Sequence, residues 1–177
     1  LFETTSELLS ALLHAAPHLL CSLTQVPLKL VKLFAELLNL AAELIERWAT
    51  RKPDNVAIRY GDRAVTYREY DEAGNRYARW ARSLGLGHGD VVSLVMENRP
   101  EFLFAWLGMA KIGVVTALIN TNLRGRQLAH CVNVAGSDHV IVGSELAEQV
   151  LEARPLLDRP RTLWATGGAV SGTEDLD

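Results

Sequence analysis

The sequence predicts an α/β fold: a mostly parallel sheet with helices on both faces, a short β-hairpin before it, and an amphipathic helical segment ahead of both. Three observations carry this prediction. Val91 to Met96, Val114 to Ile119 and His139 to Val142 are short apolar runs rich in β-branched residues, bounded by polar or glycine positions. The stretches between them change period. Arg99 to Ile112 carries Phe102, Trp106, Met109 and Ala110 at helical spacing, with Pro100 near its start and Gly113 past its end, and Gly125 to Ala135 sets Leu128, Cys131, Val132 and Ala135 on one side. Helices of this length between uniformly apolar strands call for right-handed crossovers and a parallel sheet covered on both faces.

Taken in order, the chain opens on Leu8 to Leu28, which holds no Asp, Glu, Lys or Arg and is long enough to cross a bilayer. Pro17, Pro27 and several Ser, His, Thr and Gln positions make it a poor spanning helix, and it lacks the basic start of a secretory signal. His14 and His18 have zinc-ligand spacing without a third ligand. Pro27 to Ala49 is amphipathic: Val31, Phe34, Leu38, Ala41, Ile45 and Trp48 form an apolar stripe opposite Lys32, Glu36, Glu43 and Arg47. That stripe suits docking on the α/β domain or lying in the headgroup region of a membrane.

Arg51 to Asn55 is a polar break that separates an amphipathic segment, residues 1–50, from an α/β part, residues 51–177. Val56 to Tyr60 and Arg63 to Tyr67 then read as strands around the turn pair Gly61 and Asp62. Thr66 with Glu69 makes a capping box, and Tyr70, Ala73, Tyr77, Trp80, Ala81 and Leu84 give the buried stripe of the helix it opens. The glycines of Gly85 to Gly89 precede a strand instead of leading one into a helix, so they make a connection and not a phosphate cradle. Ser144 can cap a further helix that Pro155 interrupts or ends, and Thr162 to Ala165 reads as one more strand.

The net charge of −3, from 18 basic and 21 acidic residues, supplies no basic face for a phosphate backbone and excludes nucleic acid as a partner. Cys21 and Cys131, without metal or redox spacing, read as two buried thiols in a reducing compartment. His130 and Cys131 are helix neighbours pointing about 100° apart, so they read as a core pair and not as base and nucleophile. Glu97 and Arg99 at a strand end read as capping and solvated-face residues. The candidate ligand-binding residues are Asn120, Thr121, Asn122 and Arg124, because ligands of open parallel sheets gather at the carboxyl ends of strands. The same side chains equally suit turn formation and an N-cap. No catalytic or metal-ligating set emerges.

The run from Thr66 to Arg124, TYREYDEAGNRYARWARSLGLGHGDVVSLVMENRPEFLFAWLGMAKIGVVTALINTNLR, resembles the start of the adenylate-forming enzymes: acyl-CoA synthetases, luciferases and peptide-synthetase adenylation domains. More narrowly, Ala117 to Arg124 (ALINTNLR) is similar to the fatty acid transport proteins and very-long-chain acyl-CoA synthetases. The resemblance implies a fatty acid–CoA ligase acting through an acyl-adenylate, with ATP, magnesium and CoA as cofactors of the parent enzyme and none bound tightly by this chain alone. It also implies that residues 51–177 are the first, incomplete part of the large domain, inactive by themselves, with the remainder of the ligase and a fatty acid as partners. The phosphate loop expected of such enzymes is a Ser/Thr/Gly-rich stretch ending in Pro-Lys; Ser171, Gly172 and Thr173 match only its beginning, and the acidic Glu174 and Asp175 follow. With residues 1–49 on a membrane surface, the expected location is the cytoplasmic side of a membrane. The competing reading is a standalone, non-catalytic α/β module that binds a small molecule or a partner.

Overall fold

The computed structural model describes residues 28–176, with side chains from Leu40 onward. The candidate span, His14, His18 and Cys21 lie outside the described residues, as do the side chains of Val31, Phe34 and Leu38. Contacts divide the chain into two compact units, Leu1–Leu37 and Leu38–Asp177.

Helix α1 (Leu28–Arg51) leads into the hairpin of β1 (Val56–Tyr60) and β2 (Arg63–Thr66). Gly61 takes φ +56 at the turn, a conformation that glycine adopts without penalty. The strands are antiparallel, pairing Tyr60 with Arg63 and Ile58 with Val65, with an irregularity between Val56 and Ile58. Thr66 then caps α2 (Tyr67–Ser83): its hydroxyl accepts from the Glu69 backbone N–H, and the Glu69 carboxylate accepts from the Thr66 backbone N–H at 2.7 Å. The Thr66 backbone N–H, and the Thr66 hydroxyl donating to the same carboxylate at 2.9 Å, hold the Glu69 carboxyl below its ordinary pKa.

The sheet follows as β3 (Val91–Val95), β4 (Val115–Leu118), β5 (His139–Gly143), β6 (Thr162–Thr166) and β7 (Glu174–Asp175), in the spatial order β4-β3-β5-β6-β7 and parallel throughout. The connecting helices are α3 (Pro100–Lys111), α4 (Gly125–Ala135) and α5 (Ala147–Ala153), the last flanked by 3₁₀ turns. Because β3 and β5 are covered on both faces, their residues alternate between two cores. Val92, Leu94, Met96 and Ile141 join Tyr70, Tyr77, Phe104 and Leu107 of α2 and α3, and Ala42 of α1. Val95, Val140, Val142 and Leu163 join Leu128 and Val132 of α4 and Val150 of α5.

Helix α1 is fastened to the first of these layers. Ala42 is buried there with Ile45 packed beside it, and the Lys111 ammonium, 7% exposed, lies 2.6 Å from Asp71, 2.8 Å from Asn75 and 2.8 Å from Glu46 of α1.

Five sequence expectations need correction. On α3 the expected Met109 and Ala110 are buried, but Phe102 and Trp106 are half-buried and Phe104, Ala105, Leu107 and Gly108 take the inner face with them; a helix apolar nearly all round takes its inner face from its neighbours, here α2 and the sheet. Cys131 is half-buried and His130 exposed, because Leu128, Ala129 and Val132 take the inner face of α4. Ser144 does not cap α5; it starts a 3₁₀ turn and donates to the Gly167 carbonyl at 3.0 Å. Glu174 and Asp175, which the sequence offers only as acidic residues after Thr173, form an added parallel strand on β6. The apolar run at β4 is not covered on both faces, since β4 is an edge strand with Val115 52% and Leu118 56% exposed.

Candidate functional site

From β3 the chain turns to β4 on one side and then crosses to β5 on the other. Strand order therefore reverses between β3 and β5, and the crevice of such a sheet opens outside their carboxyl ends. The residues just past β3, β5 and β6 meet there. Arg99, at the N-cap position of α3, donates from Nη2 to the Thr166 carbonyl at 2.8 Å, and its Nη1 lies 3.4 Å from Glu145 Oε2. Glu145 Oε1 accepts from the Glu97 backbone N–H at 3.1 Å. Glu101 lies 3.8 Å from Arg99 and 2.7 Å from Arg63 of β2, so the hairpin joins the same network. Gly167 beside it takes φ +87, a backbone conformation that glycine adopts freely and L side chains rarely do.

Arg99 is thus a partly buried tie between three strand ends and not a solvated-face residue. Its charge is balanced by Glu101 and Glu145, and the cluster holds no nucleophile beside a base. Sequence reading placed Arg99 on a solvated face and passed over Glu145, because nothing local pairs residues so far apart. The available signal was their place, each within a few residues of the end of a buried parallel strand.

The loop of Asn120, Thr121, Asn122 and Arg124 follows the edge strand β4, one strand removed from the reversal. Asn120 Oδ1 accepts from the Asn122 backbone N–H at 2.9 Å, an Asx turn, and Arg124 Nη1 donates to the carbonyls of Thr121 at 2.7 Å and Leu123 at 2.8 Å. Arg124 occupies the N-cap position of α4 without a side-chain cap bond. The four residues are brought together in one loop, and much of their polarity is directed at the loop's own backbone.

The segment around Ser171 does not fit a triphosphate. Thr173 donates from its hydroxyl to the Val170 carbonyl at 2.8 Å, Arg154 donates to the Gly172 carbonyl at 3.3 Å, and a strand instead of a helix follows. Among the described residues no cluster of His, Cys, Asp and Glu could hold a metal ion. His139 accepts at Nδ1 from the Trp164 indole at 3.2 Å, at the opposite end of β5.

Known proteins supply the wider context. Residues 45–176 match the family model described as AMP-binding enzyme. Long-chain fatty acid transport protein 6 of Mus musculus is 34% identical over 147 residues, 82% of this chain and 23% of that protein. The chain therefore spans less than a quarter of the length of this curated relative. Among solved structures, a benzoate CoA ligase from Burkholderia xenovorans LB400 superposes with a TM-score of 0.65 at 24% identity, over 71% of this chain and 25% of that one, a likeness of fold. The N-terminal domain of FACL13 from Mycobacterium tuberculosis superposes with a TM-score of 0.63 at 30% identity, over 71% of this chain and 33% of that one.

Proposed function

This chain belongs to the AMP-binding enzyme family, and on that premise we propose that it is the N-terminal part of a long-chain or very-long-chain fatty acid–CoA ligase. The observation that carries the reading is the 34% identity, across 82% of the chain, to a protein named for long-chain fatty acids. Such a ligase consumes ATP and CoA, with magnesium on the phosphates, and joins a fatty acid to CoA through an acyl-adenylate. We assign no step of that reaction to residues of this chain. Residues 51–177 are its first α/β part, and their role is to present the carboxyl ends of β3, β5 and β6, held together by Arg99, to the remainder of the enzyme. The loop of Asn120, Thr121, Asn122 and Arg124 borders the same end of the sheet and is our candidate for ligand contact.

Residues 1–50 are proposed to lie on the cytoplasmic surface of a membrane. Leu40, Leu44 and Trp48, spaced by four, are left half-exposed on α1 although Ala42 and Ile45 are packed. No helix among the described residues is long and apolar enough to span a membrane.

Two measurements test these readings. Sequencing the source transcript past the codon for Asp177 should reveal a Ser/Thr/Gly-rich loop ending in Pro-Lys; a stop codon directly there would leave the binding-module reading. Incubation of the 177-residue chain with ATP, CoA and palmitate should yield no acyl-CoA by mass spectrometry, and the chain extended by its downstream frame should yield it.

A further inference from the structure

The two sides of α1 differ in charge as well as in burial. Ala42 is buried in the layer of α2 and α3, with Ile45 and Ala49 half-buried on the same side. Leu40, Leu44, Arg47 and Arg51 recur at steps of four, three and four residues, so at ~100° per residue they share a sector about 60° wide on the opposite side of the helix. All four are exposed. The carboxylates of this stretch are placed otherwise. Glu46 lies 2.8 Å from the Lys111 ammonium, and Glu43 and Glu46 both line a recess shared with Arg82 of α2 and Lys111 of α3. Arg47 and Arg51 have no ion pair or side-chain hydrogen bond among the described residues. Trp48 borders the stripe, 40% exposed, its ring stacked on Tyr67 at 5.7 Å and the Lys52 ammonium 5.7 Å from its centre. Two leucines, an indole at their edge and two uncompensated cations on one exposed face are complementary to a surface that is apolar beneath and anionic above.

We propose that this face docks on an anionic bilayer, Leu40 and Leu44 entering the acyl boundary while Arg47 and Arg51 pair with the charged head groups. A guanidinium fork matches the oxygens of a lipid phosphate or carboxylate in bidentate geometry, and the arginine stems lie along apolar surface while the charge stays in the head-group layer. Trp48 belongs at the same level, where amphipathic rings gather at membrane surfaces. The assignment rests on the membrane reading of residues 1–50, and it adds the lipid class and the two side chains that select it. Ala42 and the Glu46–Lys111 pair hold the other side of α1 to α2 and α3, so the α/β part is carried to the membrane with the helix.

The test is co-sedimentation of the full 177-residue chain with vesicles of phosphatidylcholine alone and of phosphatidylcholine mixed equally with phosphatidylserine. The mixed vesicles should bind the chain at least about tenfold more tightly, and raising the salt from about 0.1 M to about 1 M should remove most of that preference. Arg47→Gln and Arg51→Gln should each weaken binding to the mixed vesicles about fivefold, the factor for one basic residue near such a surface, and leave phosphatidylcholine binding unchanged. Arg47→Lys and Arg51→Lys, which keep the charge, should retain most of the binding. Arg126→Gln, on α4 at the opposite face of the sheet, should change neither. Because neither Arg47 nor Arg51 has a side-chain partner to lose among the described residues, circular dichroism and melting temperature of the variants should match the parent. Equal binding to the two vesicle types would overturn the lipid class while leaving the membrane reading in place, and no binding to either would overturn both. A preference for the mixed vesicles that survives both glutamine substitutions would overturn the assignment to this face of α1.

Discussion

Lys111 shows how one side chain can secure an element that the local sequence leaves free to go elsewhere. Its ammonium has three acceptors, two from α2 and one from α1, so replacing it leaves Asp71 without its cation and loosens Glu46. Lys111→Met should lower stability by about 2 kcal/mol, less than for a fully buried pair because both carboxylates reach solvent; urea denaturation checks this, and helix α1 should gain protease sensitivity first. Tyr70 makes a second prediction at this scale. Burial pushes its phenol pKa up to about 12, above the ordinary value near 10. The neutral phenol therefore favours the folded state fully below pH ~10, and that preference is lost as pH rises from 10 towards 12, where the unfolded chain ionises first. The loss amounts to roughly 3 kcal/mol. Tyr70→Phe should be markedly less destabilised than the parent between pH 8 and pH 11.5 in urea midpoints, and equal sensitivity in the two would contradict the assignment.

Among elements, α2 and α3 pack closely enough to bring their backbones together. A Cβ on Gly108 would fall 2.5 Å from Tyr77 Cβ and 2.6 Å from the Gly74 carbonyl oxygen, so the two helices meet backbone to backbone. Glycine to alanine inside a helix ordinarily gains about 1 kcal/mol from propensity, whereas forcing these backbones apart costs about 1–3 kcal/mol. Gly108→Ala should therefore be net destabilising by thermal melting, by up to about 2 kcal/mol; a rise in melting temperature would mean that the helices separate without loss. The helices themselves were legible beforehand. Thr66 and Glu69 announced α2 because a capping box is a local event, and Gly61 announced the hairpin for the same reason. Which side of α3 faces inward was not legible, since Phe102, Trp106, Leu107 and Met109 offer apolar groups all round, and only its neighbours choose among them.

At the scale of the molecule, β4 leaves one edge of the sheet unpaired among the described residues, with Val115 and Leu118 more than half exposed. An open edge with apolar side chains invites association. The chain alone should bind a hydrophobic dye and self-associate at micromolar concentration, and Leu118→Lys should reduce both without changing its circular dichroism. A monodisperse, dye-silent parent would count against the proposal that this chain is one part of a longer ligase.

Strand and helix identities, the hairpin and the resemblance to adenylate-forming enzymes follow from the sequence alone, because periodicity, capping and turn chemistry are written within a dozen residues of one another. Strand order does not. Only the folded chain decides that β4 lies at the edge, that Glu174 and Asp175 add a strand, and that Arg99 meets Thr166, 67 residues away, while Glu97 meets Glu145, 48 residues away. Contacts at such separations leave no pattern in the chain; they arise when buried strands are laid side by side, and that arrangement is set by the packing of both faces at once.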